Sequence, residues 1–125
     1  MRPLLALVLR ANRATSALVG LLAARVARWD GATCTDVDGL RVCAGARGRS
    51  FARGGTCYGD TYVTGSSPAA VSPERLRHER VHQEQWRRFG LLFPLLYALA
   101  GADPLRNRFE TAAGLEDGGY RRAGR

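Results

Sequence analysis

Apolar residues recur at helical spacing early in the chain. Over 14–29, Leu18, Leu22, Val26 and Trp29 share one face, which predicts an amphipathic helix, and the apolar run 4–9 extends it backwards. That face is expected to pack on a core. A helix lying on a membrane surface is the alternative, because arginine beside leucine and tryptophan suits an interface. From Thr33 the period shortens to alternating stretches punctuated by glycine, the mark of hairpins. A two-residue turn at Asp38-Gly39 pairs Val37 with Leu40, Asp36 with Arg41, Thr35 with Val42 and Cys34 with Cys43. A second turn at Gly59-Asp60 joins 56–58 to 61–64, and the irregular loop 45–55 between the hairpins is anchored by Phe51.

Helical signals then return. Ser72 and Pro73 supply a capping hydroxyl and a first-turn proline for a helix running to Phe89, and Gly90 ends it. The segment 91–99 is apolar nearly all round and is expected to be buried, with Pro94 near the start of a new helix. Asp103-Pro104 repeats the cap-plus-proline signal for a last helix carrying Leu105, Phe109, Ala112 and Ala113 on one side, before Gly114 and Gly118-Gly119 loosen the chain toward a basic tail.

At 125 residues there is room for one domain. All 19 basic residues are arginine, against 11 acidic ones, for a formal net charge of +8. With lysine absent and Ala and Gly abundant, that balance reflects a compositional bias as much as a nucleic-acid surface. Arg47, Arg49 and Arg53 among glycines are expected to be a solvated loop. Both long apolar runs are interrupted, at Arg10 and Pro94, so no spanning helix and a cytoplasmic location are expected. Three cysteines close no disulfide framework. Cys34 and Cys43 face each other at a non-hydrogen-bonded position and are expected as thiols, with Cys57 a small buried apolar group.

The chemistry lies in His78-Glu79-Arg80-Val81-His82, an HExxH sequence that uses both histidines of the chain. Four-residue spacing puts the two imidazoles one turn apart on one helical face, where their nitrogens converge on a tetrahedral Zn²⁺. Glu79, beside that face, is placed to take a proton from water activated by the metal. A third histidine six residues on is missing, since Arg88 stands there, so a carboxylate must complete the site. Among Glu84, Asp103, Glu110, Glu116 and Asp117, the choice falls on Glu110, mid-helix after an antiparallel return, with an ion pair to Arg106 as its structural alternative.

His78-Glu79-xx-His82 followed by Glu110 resembles the gluzincin pattern of zinc metallopeptidases. Residues 52–85 resemble the short zincin domain associated with extracellular contractile injection systems, through two hairpin strands, the Ser72-Pro73-Glu74 helix start and HExxH with Gln83 or Gln85 after it. Residues 86–120, with Phe93-Pro94-Leu95-Leu96-Tyr97 and Asn107-Arg108-Phe109-Glu110, resemble small uncharacterised actinobacterial proteins, some labelled iron–sulfur oxidoreductases. The gluzincin resemblance implies an edge strand holding an extended peptide above the metal, here Tyr62, Val63 and Thr64. It leaves Tyr97, Tyr120 or an arginine to stabilise the transition state. Gly114 stands where gluzincins carry an acidic residue, so Asn107 or Asp117 would orient a histidine instead.

Together these readings imply a single α+β, zincin-like domain with an N-terminal helical segment over 1–30, a small, mostly antiparallel β-hairpin region over 31–65, a helical metal-site region over 72–115 whose last helix delivers the third ligand, and a basic tail over 116–125. The expected function is zinc-dependent hydrolysis of a peptide or protein substrate, with Arg77 or Arg80 favouring acidic segments. The alternatives are a metal-binding scaffold without turnover, a basic nucleic-acid or membrane-surface protein, and an iron–sulfur protein. Nucleic acid is not the expected partner, and any membrane contact would run through the N-terminal helix.

Overall fold

In the computed structural model, which describes residues 2–120, the first helix is one continuous element, α1 (Arg2–Trp29). Pro3 occupies its first turn, where a missing N–H costs nothing. The arginines that break the apolar pattern do not break the helix. Contrary to the expectation from those interruptions, α1 is long and apolar enough to cross a membrane by length and composition.

The packing face of α1 also differs from the expected one. Ser16, Gly20, Ala24 and Ala27 are buried, while Leu18, Leu22, Val26 and Trp29 are exposed. The reason is the closeness of approach. A Cβ on Gly59 would lie 2.1 Å from the Ser16 carbonyl oxygen, and one on Gly20 would lie 3.0 Å from Asp60 N and from Thr61 Oγ1. Only small residues admit backbones this near. Asp60 N–H then donates to the Ser16 carbonyl (3.1 Å), Ser16 Oγ to Asp60 Oδ1 (2.9 Å) and Thr61 Oγ1 to the Gly20 carbonyl (2.8 Å).

β1 (Thr33–Val37) and β2 (Leu40–Ala44) pair antiparallel in the predicted register. Asp38 (φ 52°) and Gly39 (φ 87°) supply the two positive φ angles of a type I′ turn. Cys34 and Cys43, with Cα atoms 4.0 Å apart, are joined by a disulfide, which replaces the expected thiol pair. The narrow non-hydrogen-bonded pairing brings the sulfurs together. β3 (Gly55–Tyr58) and β4 (Thr61–Thr64) form the second hairpin.

Strand order is β1-β2-β4-β3, with β2 and β4 parallel and the outer pairs antiparallel. A parallel pair requires a crossover. The chain leaves β2 through the 45–54 loop, forms β3 at the far side and returns as β4 into the middle. Tyr62, Val63 and Thr64 are therefore interior and buried, and the edge strand of this hairpin is β3 rather than the expected β4. The crossover loop is ordered by Asp30, whose Oδ2 accepts the N–H groups of Gly48, Arg49 and Ser50 and the Ser50 hydroxyl, and Phe51 packs on the core as expected.

Alternation along the strands divides the core. Cys43 and Val63 meet Ala24 and Ala27 of α1, while Leu40, Val42 and Tyr62 meet Leu76 of the next long helix, α2 (Pro73–Phe89). α2 starts as predicted: Ser72 Oγ accepts the Arg75 N–H (3.1 Å) beside Pro73, and Gly90 ends it. α3 (Leu92–Leu99) turns Phe93, Leu96 and Tyr97 toward Trp86 and Phe109. Its other side is bare: Leu91, Leu92, Leu95 and Leu99 are exposed, correcting the expectation of burial, because a short helix laid on the outside of α2 covers only what lies beneath it.

α4 (Arg108–Ala113) begins four residues later than Asp103-Pro104 predicts. Asp103 closes a turn through the Leu105 N–H, and the cap is Asn107, which accepts from Phe109 N–H and donates to the Tyr97 and Gly101 carbonyls. Of the predicted tail, Arg121, Arg122 and Arg125 lie outside the described residues.

Candidate metal centre

His78 and His82 project from the same face of α2, and α4 returns Glu110 against them. His78 Nε2 and His82 Nε2 are 3.1 Å apart, and Glu110 Oε1 lies 3.0 Å from the first and 2.9 Å from the second. All three residues are buried. Among the described residues this is the one cluster of three His, Cys, Asp or Glu side chains close enough to hold a metal ion. For donors about 2.0–2.1 Å from a tetrahedral ion, neighbouring donors stand about 3.3–3.4 Å apart, so the triad fits an ion with a few tenths of an ångström of expansion.

The hydrogen bonds behind the triad decide which atoms face inward. His78 Nδ1 lies 2.7 Å from the Gly114 carbonyl, an acceptor only, so Nδ1 carries the proton. His82 Nδ1 lies 2.7 Å from Gln85 Oε1, and Gln85 Nε2 donates to the Phe109 carbonyl (3.1 Å). That second bond sets the amide orientation, so His82 Nδ1 must also be the donor. In the neutral imidazoles both Nε2 atoms then present lone pairs to each other and to a carboxylate oxygen. Three buried lone pairs about 3 Å apart repel unless a cation or a proton sits among them.

The charges agree. Burial opposes ionisation of Glu110, but with a proton rather than a metal among the three atoms, hydrogen bonding at the Nε2 atoms of His78 and His82, the His82 charge and the Tyr97 hydroxyl hold its carboxyl well below the usual range. Burial would likewise lower His82, yet the Glu110 hydrogen bond and the charges of Glu79 and Glu110 leave it raised. Tyr97 donates to Glu110 Oε2, and burial followed by that bond pushes its phenol up. This ties both carboxylate oxygens of Glu110 down. The other candidate carboxylates go elsewhere: Glu84 to Arg87, Asp103 to its turn, Asp117 to Arg77, and Glu116 to an exposed position.

A cleft of about 380 Å³ opens beside the triad. Glu79 and Glu110 line it, with Trp86, Phe93 and Tyr97 on one side, β3 along another, and Tyr120 and Arg53 also in the lining. In the β3–β4 register Gly55 and Cys57 occupy non-hydrogen-bonded pairs, so their backbone groups point away from β4 toward the open edge. The Cys57 carbonyl accepts Trp86 Nε1 (3.1 Å). Cys57, expected as a small buried apolar group, is half-buried at the cleft wall, and burial beside Glu79 and Asp60 pushes its thiol well up. Glu79 Oε1 accepts Arg75 Nε (3.0 Å) in a nearly buried ion pair.

Arg77 and Arg80 do not line this cleft. Arg77 forks onto Asp117 (2.9 and 3.0 Å), and Arg80 reaches the Val37 carbonyl and Asp38. Neither Asn107 nor Asp117 orients a histidine. The Gly114 carbonyl does so for His78, a peptide group replacing the acidic side chain of the resemblance, and Gln85 does so for His82. Gly118, read above as part of a loosened chain end, lies flat against the His78 ring. Gln85 was legible as the residue three after His82, on the same helical face; nothing local marked Gly114 or Gly118. Comparisons with protein families, curated proteins and solved structures find no match to this chain.

Proposed function

We propose that the protein is a small zinc-dependent peptidase of gluzincin type. The observation that carries the reading is the convergence of two Nε2 lone pairs and one carboxylate oxygen, each tied from behind, beside a cleft that Glu79 and Glu110 line. Two imidazoles and one carboxylate form the three-ligand set of catalytic zinc, with a position left for water or substrate. When bound, the ion polarises a carbonyl and lowers the pKa of water.

The remaining work falls to the chain. Glu79 accepts the proton of the attacking water and returns it to the leaving amine, as a general base and then a general acid. β3, rather than the interior β4, is the strand against which an extended peptide adds, through the outward Gly55 carbonyl and Cys57 N–H, the Gly55 N–H and Cys57 carbonyl being held by Ala52 and Trp86. Trp86, Phe93 and Tyr97 receive an apolar side chain. With the Tyr97 hydroxyl committed to Glu110, Tyr120 is the phenol that faces developing negative charge on the carbonyl oxygen.

One observation favours a second reading, a metal-binding scaffold without turnover: the Arg75 guanidinium occupies one oxygen of Glu79. A single pair of measurements separates the two. The purified protein should carry one zinc, and Glu79→Gln should keep that zinc while losing cleavage of a fluorogenic peptide library. Zinc retained with no cleavage by the wild type selects the scaffold, and absence of stoichiometric zinc removes both readings.

A further inference from the structure

Globular helices normally bury large apolar residues and leave small ones wherever they fall. α1 does the reverse, burying Ser16, Gly20, Ala24 and Ala27 and leaving Leu4, Leu7, Leu18, Leu22, Val26 and Trp29 exposed. At about 100° per residue those six lie in one arc about 100° wide, along a helix about 42 Å long. Trp29, at the end of the arc, is 80% exposed. Midway along α1, Asn12 Nδ2 donates to the Arg88 carbonyl (2.7 Å) at the end of α2, and α3, which follows, also leaves Leu92, Leu95 and Leu99 exposed.

The charge on α1 identifies the occupant of this face. The helix carries Arg2, Arg10, Arg13, Arg25 and Arg28 and no acidic residue. On the same wheel Arg25 falls at one edge of that arc, Arg10 and Arg28 about 60° beyond that edge, and Arg2 and Arg13 on the opposite side; a second copy packed on the stripe would set this arginine-bearing flank against its own copy, whereas a bilayer with anionic headgroups complements it. Arginines flanking an apolar stripe lay their stems on it and lift their guanidinium groups to the headgroups, and an indole at the helix end suits the same depth. We infer that α1 lies in the surface of an anionic membrane, its leucine face in the acyl boundary and its small-residue face still docked on the domain. A spanning arrangement would have to break the Ser16, Gly20 and Asp60–Thr61 hydrogen bonds that hold that small face. This inference does not depend on the metal centre.

The test uses the full chain and vesicles of equal parts phosphatidylglycerol and phosphatidylcholine, or of phosphatidylcholine alone. Flotation should recover the protein with the anionic vesicles, at least about tenfold more tightly than with neutral ones and less tightly at high salt. Trp29 emission should shift to the blue on binding, and the shift should vanish in Trp29→Phe. Leu18→Glu with Leu22→Glu should weaken binding at least about tenfold while far-ultraviolet circular dichroism is unchanged. Three results overturn the inference: no binding to anionic vesicles, equal binding to neutral ones, or recovery that resists alkaline carbonate, which marks a spanning helix. A stable dimer disrupted by the double glutamate variant would also overturn it. Should that variant unfold, the lipid comparison and the Trp29 signal still decide.

Discussion

Gly118→Ala offers a sharp test of how the metal centre is built. Gly118 does not have a positive φ, so its backbone admits any residue. What excludes a side chain is His78: a Cβ at 118 would lie 2.4 Å from its Cε1, 2.7 Å from Nδ1 and 2.9 Å from Nε2. Ordinary contact is about 3.4–4 Å, so the ring or the segment must move by about 1 Å. The Gly114 carbonyl holds Nδ1 and the His82–Glu110 pair faces Nε2, both in the plane of the ring, so a ring pushed off its face by the new methyl group leaves line with both. Metal sites tolerate about 0.2 Å, so a shift of that size removes His78 from the ligand set. The expected loss in metal affinity is on the order of 100-fold or more, the upper end of what disturbed outer contacts cost. Overpacking costs about 1–3 kcal/mol of apoprotein stability in addition. Gly119→Ala is the control. It has φ +81° and nothing within 4 Å, so it carries backbone strain but no clash with the histidine. Competition with a chromogenic chelator gives affinity and thermal melts give stability. Affinity of Gly118→Ala within threefold of wild type, or equal loss in Gly119→Ala, would refute the reasoning.

Other outcomes follow from the same geometry. Gln85→Leu removes the acceptor of His82 Nδ1 and leaves the Phe109 carbonyl without its donor, so metal affinity should fall about 10–100-fold, measured by the same competition. In the metal-free protein His82 is raised above 6.5, so its contribution to stability is full below that value and fades as pH rises through the raised one. Glu110 is lowered from 4.5, so its contribution is full above that value and is lost in more acid solution. Apoprotein melting temperature should therefore show its contribution from this pair between those limits, while metal affinity climbs with pH as the imidazoles lose their protons; a flat apoprotein profile would contradict the pairing. Reducing Cys34–Cys43, which closes a separation of 9 residues, should cost about 2–3 kcal/mol in denaturant melts, and an intact mass two hydrogens above the disulfide form before reduction would show the bridge absent.

Local interactions explain what could be read from the chain directly. The register that places Cys34 opposite Cys43 follows from counting outward from a two-residue turn, and the start of α2 at Ser72-Pro73 follows from a capping hydroxyl beside a residue with a preset φ. The convergence of His78 and His82 is a property of one helical turn. Glu110 was reachable among the carboxylates because Glu84 leaves its helix at another angle, Asp103 read as a cap, and Glu110 sat mid-helix after an antiparallel return. In each case the partners are a few residues apart or the choice is short.

Tertiary structure decided the rest, because it depends on which surfaces fit together rather than on which residues are apolar. Periodicity located the leucine stripe of α1 but could not tell that backbone approach at Gly20 and Gly59 would be too close for leucine, so the stripe faces outward. Alternation located two hairpins, yet only the crossover that seats β4 beside β2 makes β3 the cleft edge. The Gly114 carbonyl and the bare backbone of Gly118 serve His78 across 36 and 40 positions of chain, with no side chain for a pattern to register.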